Sequence, residues 1–376
     1  MKGYKMQKDT IIYIGAPDIT TRSRAHAGSG IRMALGALVI ASVLVSGIAQ
    51  ALNVSPISSY RSSGLPHISA LPEPEAGDGS DIGMQGAVWD GTEDEPEVPA
   101  GDRPIITCDL SRGSGGAVIV DNGTSYEVST DEYAALASLG LGDDTEHEVT
   151  LREDGDETLY ISDGKEPQAI IYHTHGTECY SETGISCSDA DMRFRTTDTE
   201  RNMIAVGRSA ALELARRGIS TVHCTIMHDR ESYTESYHNS YNTLVRLTEK
   251  YPSVRCTIDM HRDAVMYGDG SVARPITETE LGTAAQLMLV IGTDEMGAAH
   301  PNWRDNFAVG AAISAILGGS YPALMRPISL RGAAYNQSFT RASLLVEVGS
   351  CGNTVGDAKT SAVLFARALA VLLKTQ

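Results

Sequence analysis

Three short runs concentrate side chains that do chemistry. They are Tyr172-His173-Thr174-His175-Gly176-Thr177-Glu178, Asp259-Met260-His261-Arg262-Asp263, and Val346-Glu347-Val348-Gly349 followed by Asn353. Imidazoles and carboxylates in this mixture suit zinc: a catalytic Zn2+ takes three N or O ligands and leaves its fourth position to water. The ion lowers the pKa of that water, and a neighbouring carboxylate then takes the proton. His175 and Glu178 form an H-x-x-E pair whose short loop can bring both side chains to one ion, and His261 completes the triad from another strand. Glu347 is the expected base, and later the acid that protonates a leaving amine. An ionised carboxylate inside Leu344-Leu345-Val346-Glu347-Val348 is costly without a partner; the plainer alternative is an arginine salt bridge within the core. His173 and His175 alternate on an extended segment, so one of them faces the ion and His173 is placed behind it. Asp259 or Asp263 would hold the imidazole of His261. Arg262 would stabilise an oxyanion or grip a substrate carboxylate.

These clusters need elements to carry them. Gln168 to Tyr172 reads as a short buried strand, Ser220 to Ile226, Cys256 to Met260, Leu287 to Gly292 and Leu344 to Val348 as further strands. Helical spacing of apolar residues runs from Asn202 to Arg217, with Gly218 where a C-cap belongs. Further helices are expected over Tyr237–Tyr251, stopped by Pro252, over Asn306–Leu317 and over Thr360–Lys374. Strand and helix alternate, which predicts an α/β fold with a mostly parallel twisted sheet and helices on both faces, over residues 166–376. In such sheets ligands bind beyond the carboxyl ends of the strands, where all three clusters fall. Ahead of it, residues 105–165 read as a small α+β lead-in, with strands at Ala117–Val120 and Val149–Leu151 and a helix starting near Asp131.

The 376 residues carry a net charge of -18, which excludes nucleic acid as a general partner. That charge is uneven: residues 1–52 hold six basic and two acidic side chains, so the remainder carries -22. Met33 to Leu52 is a run of 20 uncharged residues, about 30 Å as a helix and therefore one bilayer core. Basic residues flank it on the N-terminal side alone, so residues 1–32 are expected in the cytoplasm, with a transmembrane helix over 33–52 and the rest outside. A cleaved signal peptide is the alternative, with Ala49-Gln50-Ala51 as its cleavage site. Residues 53–104 read as an acidic disordered linker: Leu71 to Arg103 holds ten acids and one base. Six cysteines form no C-x-x-C pair, so no structural zinc knot is expected. Outside the membrane, disulfides Cys224–Cys256 or Cys179–Cys187 are open possibilities.

The clusters resemble the stage II sporulation protein P family. The matching stretches are IIYHTHGTECY (170–180), RTTDTERNMIAVG (195–207), HDRESYTESYHNSY (228–241), IDMHRD (258–263), YP at 321–322, YNQ (335–337) and LLVEVGSCGNT (344–354). The resemblance covers about 165–376 in order, and the amino-terminal anchor fits it. It implies a membrane-anchored peptidoglycan hydrolase of the sporulation septum and engulfing membrane. The implied activity is N-acetylmuramoyl-L-alanine amidase, with endopeptidase action on cross-links. The implied companions are stage II sporulation proteins D and M. The family is similar in turn to zinc-dependent muramoyl amidases, and by that likeness His175, His261 and Glu347 take the positions of two ligands and the catalytic glutamate. The acidic ligand is then Glu178, or alternatively Asp198, which stands four before Asn202. The chain departs from the family motif at Cys179, where serine is usual. The aromatic and hydroxyl side chains of 232–241 would suit a glycan groove, and Asn336 and Gln337 would hold peptide amides or cap a loop. Two rivals remain on the residues alone: a stem-peptide carboxypeptidase or endopeptidase, and a wall-binding scaffold without catalysis.

Overall fold

Apolar alternation along the strands divides the side chains of the central sheet between two cores, and that division decides which side chains can meet. The computed structural model describes residues 103–111, 119–120, 136–142, 145–155, 157–162, 164–181, 186–187 and 194–374. The tail 1–32, the apolar segment 33–52, the linker as far as residue 102 and the start of the helix expected near Asp131 lie outside them. No helix among the described residues is long and apolar enough to cross a membrane.

The larger sheet has nine strands in the order β2 (Ile119–Val120), β12 (Ile328–Arg331), β11 (Leu287–Gly292), β13 (Ala342–Ser350), β8 (Cys256–Asp263), β5 (Ala169–Tyr172), β7 (Thr221–Cys224), β4 (Thr158–Ser162) and β3 (Thr150–Glu153). The central four, β13, β8, β5 and β7, run parallel. Outside them the direction changes. β11 is antiparallel to β13 and carries β12 and β2 with it, while β4 and β3 add an antiparallel hairpin at the far side. The fold is therefore mixed α/β with a parallel centre. A second sheet has the order β10 (Gly282–Ala285), β9 (Val272–Thr279), β1 (Arg103–Cys108) and β6 (Ser186–Cys187). The described strands of the lead-in region join these sheets: β1 pairs with β9, β2 with β12, and β4 with β7.

Among the described residues there are four helices: α1 (Met203–Arg216), α2 (Ser236–Lys250), α3 (Trp303–Ser320) and α4 (Val355–Lys374). Asn202 caps α1, its Oδ1 accepting from Ile204 N at 3.0 Å, and Gly218 closes it at φ +80°. Ala169, Ile171, Ile258, Met260, Leu344 and Val346 share one core with α1, α3 and α4. Ile170, Tyr172, Val222 and Cys224 face the other way, into a smaller core with Leu244 and Leu247 of α2. Period two then places His261 and Glu347 on the α2 side. The same division corrects one expectation about cysteines. Cys224 and Cys256 lie in different cores on strands separated by β5, and both are free thiols, as is Cys179.

Candidate functional site

The parallel centre delivers the three clusters to one sheet edge. Glu347 on β13 stands directly opposite His261 on β8 in the strand register. Past the end of β5 the chain continues into His173, Thr174 and His175. The imidazoles of His175 and His261 meet edge to face with centroids 5.2 Å apart. Glu178 completes the group: its Oε2 lies 3.9 Å from His261 Nδ1 and accepts the Arg262 N–H at 2.9 Å. Its own backbone pairs with Arg195 in an antiparallel bridge. The site therefore joins buried His175, Glu178 and His261 with half-buried Glu347.

Both imidazoles are backed by a carboxylate. Asp259 lies in the same strand two residues before His261, on the same face, and its Oδ1 is 3.0 Å from His261 Nε2, off the ideal hydrogen-bond direction. Thr174 fixes that carboxylate with N–H (2.8 Å) and Oγ1 (2.6 Å). Asp263 is occupied elsewhere, accepting from Arg326 Nη1 at 2.7 Å. Asp259 is thus the carboxylate on His261. His175 stacks on Tyr233 (centroids 4.3 Å apart) and meets the edge of Tyr237 at 5.7 Å. Its Nδ1 is 3.9 Å from Asp229 Oδ2, and Asp229 is tied down by Thr177 N (3.1 Å) and Thr177 Oγ1 (2.5 Å). Gly176 is required in this loop, because a Cβ there would come within 2.9 Å of the Met227 backbone.

Three expected residues stand outside the group. His173 points to the opposite face: its Nδ1 is 3.0 Å from Met260 O and its Nε2 is 3.1 Å from His223 Nε2, under Gly207 of α1. Arg262 follows the same parity. Its Nη1 donates to Asp263 O (3.2 Å) and its Nη2 to Phe194 O (3.0 Å), so those two nitrogens fix loops. Asp198 is exposed, and its Oδ1 accepts from Glu200 N at 3.0 Å. Of the two acidic candidates, Glu178 is the one placed beside the imidazoles.

The electrostatics are those of a crowded, water-poor pocket. Burial, with the charges of Asp263 and Glu178 adding to it, lifts Glu347 to about 8 against the opposing pull of His261 and Arg326. Its Oε2 has no hydrogen-bond partner. Burial works against a charge on His261, but Asp259, Glu178 and Glu347 outweigh it and raise the imidazole to about 10. Burial holds His175 well below its usual value, with His261 and Arg195 pushing the same way. Glu178 is raised by burial, opposed by Arg262 and His261.

As arranged, no three His, Cys, Asp or Glu side chains among the described residues close around a single ion. The donor set fits zinc in type: two imidazoles and a carboxylate at one sheet edge. His261 already has a carboxylate on its far nitrogen, the usual support of a ligating imidazole. The unpartnered Nδ1 of His175 and Oε2 of Glu347 mark polar groups that nothing in the protein satisfies. Three contributors had no role assigned from the sequence: Thr174, Asp229 and Arg195; Tyr237 belongs to the aromatic run 232–241 read as a glycan groove and stands instead against the imidazoles. Asp229 follows β7, the fourth parallel strand, so the strand-end rule could have found it. Arg195 carries no local signal.

A family model, Stage II sporulation protein P (SpoIIP), matches residues 121–370, about two thirds of the chain. No curated protein and no solved structure matches. The chain belongs to the stage II sporulation protein P family and has a sporulation-related role.

Proposed function

We propose, on the premise of that family membership, that the protein is a zinc-dependent peptidoglycan hydrolase. Its main activity would be cleavage of the N-acetylmuramoyl to L-alanine amide, with cross-link endopeptidase as a second use of the same pocket. The observation that carries this is the unpartnered Oε2 of Glu347, on the residue directly across from His261, within a cluster that also gathers His175 and Glu178. His175, His261 and Glu178 would hold the ion, which when bound supplies a polarised water of lowered pKa. Asp259 keeps His261 oriented with one nitrogen turned from the ion. Glu347 in its carboxylate form accepts a proton from the attacking water. As the carbon–nitrogen bond breaks, that proton passes to the departing amine and the carboxylate is restored. Tyr233 and Tyr237 flank the imidazoles and exclude water from that exchange. We place the protein in the septal or engulfing membrane, anchored through residues 33–52, acting with stage II sporulation proteins D and M.

The test is mass spectrometry of digested sacculi, with and without metal. Free stem peptides and peptide-less glycan are the amidase products; cross-link-cleaved muropeptides alone would shift the assignment to endopeptidase. Chelation should stop release and added Zn2+ restore it. Glu347→Gln should lower turnover by roughly 10²- to 10⁴-fold while wall binding persists. A Glu347→Gln protein with unchanged product yield would reject the scheme, and a wild type that binds wall without any product would make it a scaffold.

A further inference from the structure

We propose that Arg195 is the anion-binding residue of this pocket, and that it takes a free carboxylate on the substrate one or two residues from the bond that is cut. The inference rests on the hydrolase reading above and adds a substrate feature to it.

Three cations lie near the ionisable cluster, and two of them are already committed. Arg262 gives Nη1 and Nη2 to the carbonyls of Asp263 and Phe194. Arg326 gives Nη1 to Asp263 at 2.7 Å and is buried. Arg195 differs on both counts. Its side chain keeps 28 % of its surface exposed, while Asp229 beneath it has none. Its contact with Asp229 is a long one, 3.4 Å from Nη1, and the fork also comes near the Tyr233 hydroxyl. The Tyr233 hydroxyl is its second side-chain partner, so the fork is shared between an aspartate and a phenol and stays partly open to solvent.

The guanidinium is nevertheless well placed. Its carbon lies over the Tyr233 ring at 4.1 Å, and that ring is stacked on His175 at 4.3 Å with an 11° tilt. Cation, phenol ring and imidazole therefore form one stack, and the guanidinium stands no more than about 8 Å from the His175 ring. The backbone bridge between Arg195 and Glu178 fixes the base of the side chain to the same loop that supplies the acidic group. The fork is held by an aspartate and on one face by an aromatic ring, and the side chain keeps 28 % of its surface open to solvent. That is the geometry in which arginine takes a carboxylate by two parallel hydrogen bonds.

Reach sets the substrate feature. An extended chain advances about 3.3–3.6 Å per residue, so a span of up to about 8 Å is one or two residues. A stem peptide whose second residue is linked through its side chain carries a free main-chain carboxylate at that distance. The amidated form of the same residue is neutral there and would lose the charge-assisted pair.

The experiment compares two synthetic muramoyl peptides that differ only in carboxylate against carboxamide at the second residue. They are presented to the full detergent-solubilised chain with zinc, as wild type, Arg195→Ala, Arg195→Lys and Arg195→Gln. Wild type should favour the carboxylate by roughly ten- to a hundredfold in kcat/KM, chiefly through KM. Arg195→Ala should bring the two substrates within about twofold of each other, and Arg195→Lys should recover part of the preference. Arg195→Gln keeps a donor for Asp229, so it should fold and still lose the preference. A preference that survives in Arg195→Ala or Arg195→Gln overturns the proposal, as does an equal loss for both substrates. Calorimetric binding of the two released peptides to the same proteins reads the preference without turnover. A wild type that cleaves neither substrate yet binds the carboxylate peptide through Arg195 would sink the hydrolase reading and leave this one standing; equal binding of both peptides would sink this one.

Discussion

His261 and Glu347 face each other across two strands, and in the metal-free pocket each is held in its protonated form near neutral pH. His261, raised to about 10, is an imidazolium between Asp259 and Glu178. To ligate an ion it must lose that proton, and the ion's own charge then reverses the local balance for Glu347 as well. Zinc loading of the apo protein at pH 7.5 should therefore release one to two protons, and affinity should weaken as pH falls. Calorimetry in buffers of different ionisation enthalpy measures the number; loading with no proton release would remove His261 from the ligand set. Asp259→Asn tests the support behind it. The substitution takes away the carboxylate beside His261 Nε2 while sparing the Thr174 contacts in outline, and should lower zinc affinity by roughly 10- to 100-fold in a competition assay with a chelating dye. Undiminished affinity would show that Asp259 acts elsewhere.

At the scale of elements, the face opposite the pocket is governed by a second pair of imidazoles. His173 sits at the end of β5 and His223 in β7, with Nε2 atoms 3.1 Å apart and Gly207 of α1 pressed onto both. Because His173 Nδ1 donates to Met260 O, its Nε2 accepts from His223 Nε2–H, and adding a proton to the His173 ring sets N–H against N–H. Burial pushes His173 down to about 4 and His223 well below its usual value. Groups of this sign stabilise the fold above their unfolded pKa, near 6.5, and lose that contribution as pH falls toward the folded value. His173 alone is worth on the order of 3 kcal/mol. Apo protein should thus lose stability between pH 6.5 and 5, above the range where most carboxylates titrate; a flat denaturation midpoint over that window would contradict the pairing. Gly207→Ala places a Cβ 2.5 Å from His173 Nε2 and 2.8 Å from His223 Nε2, and should cost roughly 1–3 kcal/mol in chemical denaturation. Much of this layer was legible beforehand. The strand at Leu287–Gly292 and the α1 boundaries at Asn202 and Gly218 follow from apolar runs and caps, which are local. Which face His173 takes, the reversal of β11, and the meeting of Arg195 with Asp229 depend on register and tertiary contact, which no local pattern encodes.

At the scale of the molecule, the two sheets depend on a strand drawn from far upstream. β1 lies between β9 and β6, so it is an interior strand of the smaller sheet, paired in parallel with Val272–Pro275 through Ile105–Cys108. The hairpin of β9 and β10 was not anticipated, since burial along it follows no clean alternation. It matters to the site because it braces the turn after Glu347. Arg274 grips Asp357 at the start of α4 with two bonds (2.9 and 3.0 Å), and Asn353 donates to Pro275 O at 3.1 Å while accepting Ser350 N–H at 2.8 Å. The residues just after β1 are tied in as well. The fully buried Gln286 accepts from Leu110 N at 2.7 Å and donates to Asp109 Oδ1 at 2.6 Å. A chain starting at residue 103 keeps all of these bonds, whereas one starting at residue 112 strips β9 of a neighbour and leaves the Gln286 amide short of partners. Each buried polar group so orphaned costs about 1–3 kcal/mol, and the bared edge of β9 invites pairing with another chain. The shorter chain should therefore melt lower and self-associate, and its zinc affinity should fall because the support of the Glu347 turn loosens. Thermal melts and sedimentation of the two truncations decide this: equal midpoints and equal solubility would mean that β1 is dispensable and that the pocket is carried by the larger sheet alone.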